Sequence, residues 1–270
     1  MATMTLDAAN AVSRTLLIPL WARAVEQREP APLVVDPLAA AMVAQIDYDW
    51  RRIRLSRGDL VQCVVRLREF DRFVSDFLAR HPRALVVHLG CSLDARFQRV
   101  DDGTVLWFDL DLPHVIALRR QLLPETERNR YLAYSAFDPA WTDELPRDRP
   151  TLFVAEAMLV YFEEQQVRGL VQHLAARFPG AELVTDVCTP LARWIDNLHL
   201  IAIRSKARMK WAVSDPADLE GWAPGIALAE SFSYFDDPEP RMGIPTWFAR
   251  VPALARASSI QRYRLGAPPA

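Results

Sequence analysis

The sequence has few cysteines and no pattern of metal-binding residues. Its three cysteines, Cys63, Cys91 and Cys188, are odd in number and lie in apolar surroundings, which excludes the disulfide framework of a small secreted domain. Neither the cysteines nor the five scattered histidines have the spacing of a zinc site. We therefore expect neither structural disulfides nor a bound metal.

The chain also lacks a strong net charge and long apolar runs. A formal net charge of −2 over 270 residues argues against a nucleic-acid-binding face, which requires a basic patch. No apolar run approaches membrane-spanning length, and the first residues do not form a basic and then apolar signal segment. With 51% hydrophobic and 24% charged residues, the composition is typical of a soluble globular protein. We expect a cytoplasmic enzyme without nucleic-acid or membrane partners, whose oligomeric state the sequence does not indicate.

The stretch from Arg83 to Pro113 contains the strongest signal. An apolar run at residues 84–87 leads into the turn Leu89-Gly90-Cys91-Ser92, and a second apolar run, 105–108, ends in Asp109-Leu110-Asp111. Apolar runs bounded by a glycine turn are typical of buried parallel strands. Glycine lets the backbone approach a ligand closely, and an acid about twenty residues later is where a βαβ nucleotide site holds a ribose diol. The stretch therefore predicts a site for a ribose-containing cofactor.

The remaining periodicity predicts an α/β fold. Amphipathic spacing predicts helices at 38–43, where Asp36 is the N-cap, at 60–78, at 163–178 and, with mixed polarity, at 191–210. After the first two strands, apolar runs predict strands at 131–137, 151–155, 181–186, 225–234 and 260–265. The last two would form a closing antiparallel hairpin.

No repeat, low-complexity segment or linker divides the chain. We therefore expect one domain over residues 1–270. Its parts would be a helical cover at 1–80, a cofactor-binding core at 81–188, a helical insertion at 189–224 and closing strands at 225–270.

Three segments, LVVHLGCSLDARFQR, VLWFDLDLPHVIALRR and LFVAEAMLVYF, resemble the leucine carboxyl methyltransferase family, and within it the bacterial polyketide O-methyltransferases. The resemblance extends from about Thr15 to about Phe235, with its specific motifs between Arg66 and Tyr161. It implies an S-adenosylmethionine-dependent enzyme with the class I, Rossmann-like methyltransferase fold: a seven-stranded α/β sheet, an N-terminal helical extension and a helical lid over the acceptor pocket. The chain departs from the family at Ser92, where the family usually has glycine.

The resemblance also implies individual contacts with the cofactor. An arginine meets the carboxylate of the methionine moiety; we prefer Arg66 and keep Arg68 as the fallback, although either one alone is typical of the solvated face of an amphipathic helix. For the ribose diol we prefer Asp111 to Asp109, which is expected to lie inside the sheet.

Asp138 would take the amino group of adenine, although from the sequence alone it is more typical of a turn cap. Glu156 would line the pocket rather than form a salt bridge at a strand end, and Tyr161 is either a pocket residue or half-buried structure. The residues predicted to contact the cofactor are Arg66, Arg68, Gly90, Cys91, Asp94, Asp111, Leu112, Asp138, Pro139, Glu156 and Tyr161.

The acceptor is expected to be a small molecule that offers an oxygen. A carboxylate is favoured because it is ionised near neutral pH and needs no general base, whereas a phenol would want one. His88 is expected in the core and His114 near the surface, so no catalytic residue is assigned. Two other functions fit parts of the pattern. A nicotinamide-dependent oxidoreductase would need three glycines where only Gly90 is present, and a non-catalytic cofactor-binding protein is suggested only by Ser92.

Overall fold

A computed structural model describes residues 4–5, 14–203, 205–243 and 257–267 of the chain. Its centre is a seven-stranded sheet with helices packed on both faces. The N-terminal segment 1–14, whose small and polar residues predict that it is frayed, lies largely outside the described residues.

The chain forms sixteen main elements in the described ranges. They are β1 (Met4–Thr5), α1 (Arg14–Glu26), α2 (Pro37–Gln45), β2 (Ile46–Asp47), α3 (Arg57–Arg80), β3 (Leu85–Leu89), α4 (Arg96–Val100), β4 (Leu106–Asp111), α5 (Pro113–Leu122), β5 (Asn129–Ala133), β6 (Thr151–Ala155), α6 (Glu164–Arg177), β7 (Ala181–Cys188), α7 (Pro190–Ala202), β8 (Ala227–Ser233) and β9 (Ser258–Leu265). Short 3-10 helices follow several strands, among them 139–144, 159–161 and 234–236.

The helices that precede the sheet begin at strong caps. Asp36 Oδ1 accepts a hydrogen bond from the Ala39 N–H at 2.9 Å, and Pro37 occupies the first turn of α2, as predicted. At α3, Ser56 and Asp59 form a reciprocal capping box. The long helix α3 is therefore fixed at its start, and it lies against the central strands.

The core forms on both faces of the sheet because the central strands are apolar on both sides. On one face, Phe70, Phe73 and Phe77 of α3 pack on Val86 of β3 and Val154 of β6. The opposite face of β3 and β6 is covered by α6. Full burial of one such aromatic side chain contributes about 1.5–3 kcal/mol, so these contacts fix α3 relative to the ends of β3 and β6.

The strand order of the large sheet is β5-β4-β3-β6-β7-β9-β8. The five strands from β5 to β7 are parallel, whereas β9 is antiparallel to both neighbours, β7 and β8. The order reverses between β3 and β6, and open α/β sheets bind ligands in the crevice at the carboxyl ends of the strands at such a point. The predicted seven-stranded α/β fold with a closing hairpin is confirmed.

Two predicted elements are wrong in extent. The strand predicted at 131–137 ends at Ala133, because Ala133 pairs with Asp111, the last residue of β4, and the chain then turns.

The helix predicted at 191–210 ends at Ala202. Beyond it the chain folds back, because Asn197 binds the backbone of Met209 through both its amide N–H and its carbonyl oxygen, at 2.9 and 2.8 Å. Lys210 and Trp211 then donate their backbone N–H groups to the Val160 carbonyl. These contacts hold the returning segment against the 3-10 helix 159–161.

Across the described ranges, no helix combines the length and the apolar character that crossing a bilayer requires.

Candidate active site at the carboxyl ends of the strands

The turn after β3 begins at Gly90, as the sequence predicts. The N–H groups of Gly90 and Cys91 both donate to the Leu110 carbonyl, at 2.8 and 3.1 Å. Gly90 has a φ of +67°, and a Cβ there would lie only 3.0 Å from Met158 Cγ. Glycine is therefore required for its backbone conformation and for the space between the turn and the segment after β6.

Asp111 ends β4 beside this turn, and two backbone groups orient its carboxylate. Oδ2 accepts a hydrogen bond from the Ser92 N–H at 2.8 Å, and Oδ1 accepts one from the Leu112 N–H at 2.7 Å. Burial raises the pKa of Asp111, against the opposing effect of these two N–H groups. Each carboxylate oxygen can accept a further hydrogen bond, and Leu112 next to it is 44% exposed. Asp111 and Leu112 together offer a hydrogen-bond acceptor beside an apolar surface.

Asp109 has a different environment, although it lies only two residues earlier. It is buried inside the sheet. Its carboxylate accepts hydrogen bonds from Arg119 Nη2 at 2.6 Å, from Trp107 Nε1 at 2.8 Å and from Asn129 Nδ2 at 2.9 Å. The prediction that Asp109 lies within the sheet is confirmed.

Arg66 and Glu156 meet between α3 and the end of β6. Arg66 Nε donates to Glu156 Oε1 at 2.9 Å, and Arg96 Nη2 donates to Glu156 Oε2 at 2.5 Å. Burial alone would raise the pKa of Glu156, but Arg96 and Arg66 hold it below its ordinary value. Glu156 is therefore ionised near neutral pH, and its partner Arg96 is fully buried. The side chain of Arg66 remains 19% exposed.

Asp94 is part of a buried ion network behind this pair. Its carboxylate lies 2.8 Å from Arg99, 3.3 Å from Arg96 and 3.8 Å from Arg23. Burial opposes ionisation, but the three arginines keep the pKa of Asp94 well below its usual range. Asp94 therefore fixes the position of Arg96, which in turn holds Glu156.

Arg68 lies away from this group. It pairs with Glu69 at 3.1 Å and with Asp237. Together with Asp71 and Arg99 it lines a separate cavity of about 470 Å³ near the start of α2. The structure thus separates the two candidate arginines and brings only Arg66 to the strand ends.

The other predicted residues differ in what they offer. The Cys91 thiol is buried against Ile116 and Tyr131, and the Cys91 carbonyl accepts from the Asp94 N–H, so Cys91 shapes the turn and has no free polar group. Asp138 and Pro139 are exposed at the start of the 3-10 helix 139–144, where Asp138 Oδ1 accepts from the Ala140 N–H at 3.0 Å. Asp138 is therefore a turn cap that stays open to solvent.

Two further residues at the strand ends were not predicted. Asp186 lies in β7, and its Oδ1 accepts a hydrogen bond from the Ala157 N–H at 2.7 Å. Burial raises the pKa of Asp186 to about 6, although Arg66 opposes the shift. Tyr234 follows β8, and its buried Oη has no hydrogen-bond partner among the described residues.

The sequence contained a signal for Asp186, because an acid that ends an apolar run is what identified Asp111 and Glu156. It contained none for Tyr234, because the end of an edge strand has no fixed relation to the crevice.

Tyr161 completes this end of the crevice. It ends the 3-10 helix 159–161 and is partly buried. Burial, opposed by Arg66, raises its pKa to about 12, so its hydroxyl stays protonated at neutral pH. The crevice therefore has two chemically different ends: an acid and an exposed apolar side chain near β4, and a cluster of carboxyl and phenol groups near β6 and β7.

This arrangement fits a nucleoside cofactor. Asp111 can accept from two hydroxyls, and a guanidinium such as that of Arg66 suits a carboxylate. Gly90 is in the turn next to Asp111, and the Met158 side chain lies where a Cβ of residue 90 would be.

Comparison with known proteins gives the family. The leucine carboxyl methyltransferase family matches residues 17–175 of the chain. Over 228 residues the chain is 35% identical to the tetracenomycin polyketide synthesis O-methyltransferase TcmP of Streptomyces glaucescens, a match that covers 84% of each protein. Over 258 residues it is 31% identical to the S-adenosyl-L-methionine-dependent methyltransferase dpfgK of Gibberella zeae, covering 87% of this chain and 86% of dpfgK.

Among solved structures, a DUF574 family protein from Streptomyces avermitilis superposes with a TM-score of 0.57 at 16% identity, covering 95% of this chain and 98% of that one. This last match is a likeness of fold alone. The resemblance read from the three motifs is confirmed, and with it the cofactor. The chain belongs to the leucine carboxyl methyltransferase family and is an S-adenosylmethionine-dependent methyltransferase with the class I fold.

Proposed function

We propose that the enzyme is an O-methyltransferase that esterifies a carboxylate on a small, polyketide-like molecule in the cytoplasm. The observation that supports this best is the crevice, which holds an orienting acid, Asp111, at one end and the cluster around Glu156 and Asp186 at the other. The similarity to TcmP, a polyketide O-methyltransferase by name, supports the oxygen acceptor and the substrate class.

The cofactor would lie along the turn after β3. Asp111 would accept hydrogen bonds from the ribose hydroxyls, with Leu112 and the solvent-facing Asp138 beside the adenine. Arg66 would bind the carboxylate of the methionine moiety and leave its present partner Glu156 available to the amino group. When bound, S-adenosylmethionine supplies a methyl group on a sulfonium that is primed to leave, so the protein mainly aligns and desolvates the reacting groups.

A carboxylate acceptor suits the groups that are present. Its reference pKa is about 4, so it is ionised over the whole neutral range and needs no base. The buried His88 is engaged elsewhere: its Nε2 lies 3.3 Å from Arg96 and its Nδ1 3.6 Å from Asp109. As the sequence predicts, His88 belongs to the core and does not face the acceptor end.

We also propose that α7 and the returning segment cover the acceptor pocket of a single domain. Asp196 on α7 has a raised pKa through burial, with His199 and Arg66 opposing. Its charge in turn contributes to the raised pKa of Tyr161. These electrostatic interactions support a position of α7 over the end of the crevice near β6 and β7, where the methyl group would lie.

A hydroxyl acceptor is the second candidate, because Asp186 could take its proton. A carboxyl whose pKa is about 6 is mostly ionised at neutral pH and is close to the range of an effective general base.

Labelled methyl transfer tests the proposal. The enzyme would be incubated with methyl-labelled S-adenosylmethionine and either anthraquinone-2-carboxylate or 2-hydroxyanthraquinone, and the product treated with mild alkali. A methyl ester releases labelled methanol, whereas an aryl methyl ether keeps its label. Alkali-labile label in the carboxylate product is expected. Stable label in the hydroxyl product alone supports the second candidate, and cofactor binding without any transfer supports a non-catalytic binding protein.

A further inference from the structure

The end of the crevice near β6 and β7, where the methyl group would lie, contains a buried phenol, that of Tyr234, whose Oη has no hydrogen-bond partner among the described residues. The carboxyl group of Asp186 is also buried there, and its Oδ1 accepts a hydrogen bond from the Ala157 N–H at 2.7 Å. Buried polar atoms are nearly always hydrogen-bonded, so the Tyr234 hydroxyl indicates a place for a ligand that provides a hydrogen-bonding oxygen.

The two groups lie on the same face of the sheet. Asp186 pairs with Ile260 of β9, Ile260 pairs with Phe232 of β8, and Tyr234 comes two residues after Phe232 and packs on the same cluster. The charge of Asp186 also raises the pKa of Tyr234, after the larger effect of burial. Asp186 is held by Ala157, two residues beyond the end of β6. Ala157 has a φ of +49°, a left-handed conformation that is unfavourable for a non-glycine residue. Such strain is typical of positions where function fixes the backbone.

We propose that Asp186 and Tyr234 hold the carboxylate of the methyl acceptor, Tyr234 through its phenolic O–H and Asp186 through a proton that the two carboxyl groups share. This inference rests on the proposed function, since it requires a carboxylate acceptor. One oxygen of the acceptor is held by the two donors, and the other is left free to attack the methyl carbon.

The proton explains how two acids can lie together. Two adjacent carboxylates cannot both remain ionised at low cost, and one of them takes up a proton. Asp186 is already close to this state, because burial brings its pKa to about 6. The acceptor therefore binds with uptake of one proton. Once its oxygen is esterified the acceptor has no charge, and Asp186 returns the proton to solvent as the ester leaves.

The other titratable groups do not replace Asp186 in this role. Those that surround it come from five parts of the fold: Arg66 on α3, Glu156 and Tyr161 after β6, Cys188 on β7, Asp196 on α7 and Tyr234 after β8. Arg66 and Glu156 are charged throughout the neutral range, and the pKa values of Tyr161, Tyr234 and Cys188 are all raised. The pKa of Asp196 is also raised by burial, so Asp196 needs its own control.

The test separates KM from kcat over about pH 5.5 to 8.5, with the full chain, saturating S-adenosylmethionine and anthraquinone-2-carboxylate as the acceptor probe. We expect kcat to stay nearly flat, and KM for the probe to rise toward tenfold per pH unit above the pKa of Asp186. In Asp186→Asn the amide keeps the acceptor for the Ala157 N–H and donates at every pH, so the slope of KM should disappear. Tyr234→Phe should raise KM about 10- to 100-fold at every pH and retain the slope.

Three control variants show whether the effect is specific. Asp148→Asn removes an exposed carboxylate, and Tyr263→Phe removes a hydroxyl that donates to the Pro216 carbonyl far from the crevice; neither should change the KM or its slope. Asp196→Asn should keep the slope. Binding of the probe can also be measured by calorimetry with S-adenosylhomocysteine present, in two buffers that differ in their heat of ionisation. We expect the parent enzyme to take up one proton on binding and Asp186→Asn to take up none.

The outcomes separate this inference from the proposed function. Three results would overturn the inference: a KM that does not change with pH in the parent enzyme, a KM slope that persists in Asp186→Asn, or a KM slope that vanishes in Asp196→Asn. In each case, formation of the methyl ester would still support the proposed function. If the parent enzyme methylates 2-hydroxyanthraquinone and Asp186→Asn does not, Asp186 is a general base for a hydroxyl acceptor, and the inference is overturned. Bound cofactor without transfer to either probe overturns the function, and the inference with it.

Discussion

Arg119 Nη2 donates to Asp109 Oδ2 at 2.6 Å, and this pair determines which of two neighbouring acids can serve a ligand. Both side chains are almost fully buried, so the charge of each depends on the other. Among the described residues, the carboxylate of Asp111, two residues later, accepts hydrogen bonds only from backbone N–H groups. One acid therefore stabilises the sheet, and the other remains available in the crevice.

Replacing each acid by alanine should separate these roles. Asp111→Ala should weaken S-adenosylmethionine binding about 10- to 100-fold, because it removes charge-assisted hydrogen bonds worth about 1.5–3 kcal/mol each. Asp109→Ala should lower the free energy of unfolding by about 3–5 kcal/mol, because it leaves Arg119 buried without its partner. Calorimetry and urea unfolding measure the two effects. Unchanged cofactor affinity in Asp111→Ala would remove Asp111 from the ribose site.

Gly90→Ala should abolish cofactor binding and leave the protein folded. The added Cβ would lie 3.0 Å from Met158 Cγ, and the alanine would have to keep the left-handed backbone conformation of Gly90, with a φ of +67°. The matched control is Gly103→Ala, where φ is +82° but nothing lies within 4 Å of the new Cβ. It should cost about 1 kcal/mol of stability and leave binding intact. Equal effects of the two variants on cofactor affinity would show that the Gly90 turn is only structural.

Ser92→Gly should strengthen the turn. Ser92 has a φ of +52°, a conformation that costs an ordinary L-residue about 1–2 kcal/mol and that glycine adopts freely. The Ser92 N–H would still donate to Asp111, so we expect unchanged or tighter cofactor binding and a slightly higher melting temperature. Arg83→Gly, at another positive φ of 61°, should change stability alone. A tenfold loss of affinity in Ser92→Gly would show that the serine hydroxyl has a direct role.

The two arginines on α3 should differ in their effect on the cofactor. Arg66→Met should weaken S-adenosylmethionine binding at least tenfold, because it removes the guanidinium beside Glu156. Arg68→Met breaks contacts with Glu69 and Asp237 and should change thermal stability without changing cofactor affinity. Calorimetry with both variants decides between them, and the reverse result would make Arg68 the ligand.

The ion network predicts a loss of stability in acid. The pKa of Asp94 lies well below its usual range because Arg99, Arg96 and Arg23 outweigh the effect of burial. A carboxyl with a lowered pKa stabilises the folded state above its unfolded pKa, about 4, and this stabilisation is lost as the pH falls through the folded value. The contribution of Asp94, measured as the difference in urea midpoint between the parent enzyme and Asp94→Asn, should stay nearly constant from about pH 7 to 5 and then decline. Asp94→Asn should be less stable at pH 7 and should decline less steeply in acid.

The sequence predicts the order of the main elements because the signals of buried parallel strands are local. Apolar runs bounded by turns identified β3, β4, β6 and β7, and Asp36 and Pro37 indicated the start of α2. The ends of β5 and α7 could not be read in this way. The end of β5 depends on the pairing of Ala133 with Asp111, and the end of α7 depends on the contact between Asn197 and Met209. Both contacts join residues that are distant in the sequence.

The candidate site was predictable in so far as its residues follow strands. Asp111 and Glu156 each follow an apolar run, so the sequence alone suggested that they lie near a common edge. The choice between Arg66 and Arg68 is different, because it depends on which side of α3 faces the sheet. Tyr234 comes after β8, which β9 separates from β7, and no local pattern could place it on the same face of the sheet as Asp186.

The position of β9 has a consequence for how the protein is synthesised. This strand, residues 258–265, lies between β7 and β8, and in the described sheet β8 is hydrogen-bonded only to β9. While a ribosome is still translating residues before 258, β7 therefore has an open edge and β8 has no neighbour. The nascent chain can form the cofactor half of the sheet early, but Tyr234 cannot reach its place near Asp186 until the last strand has emerged.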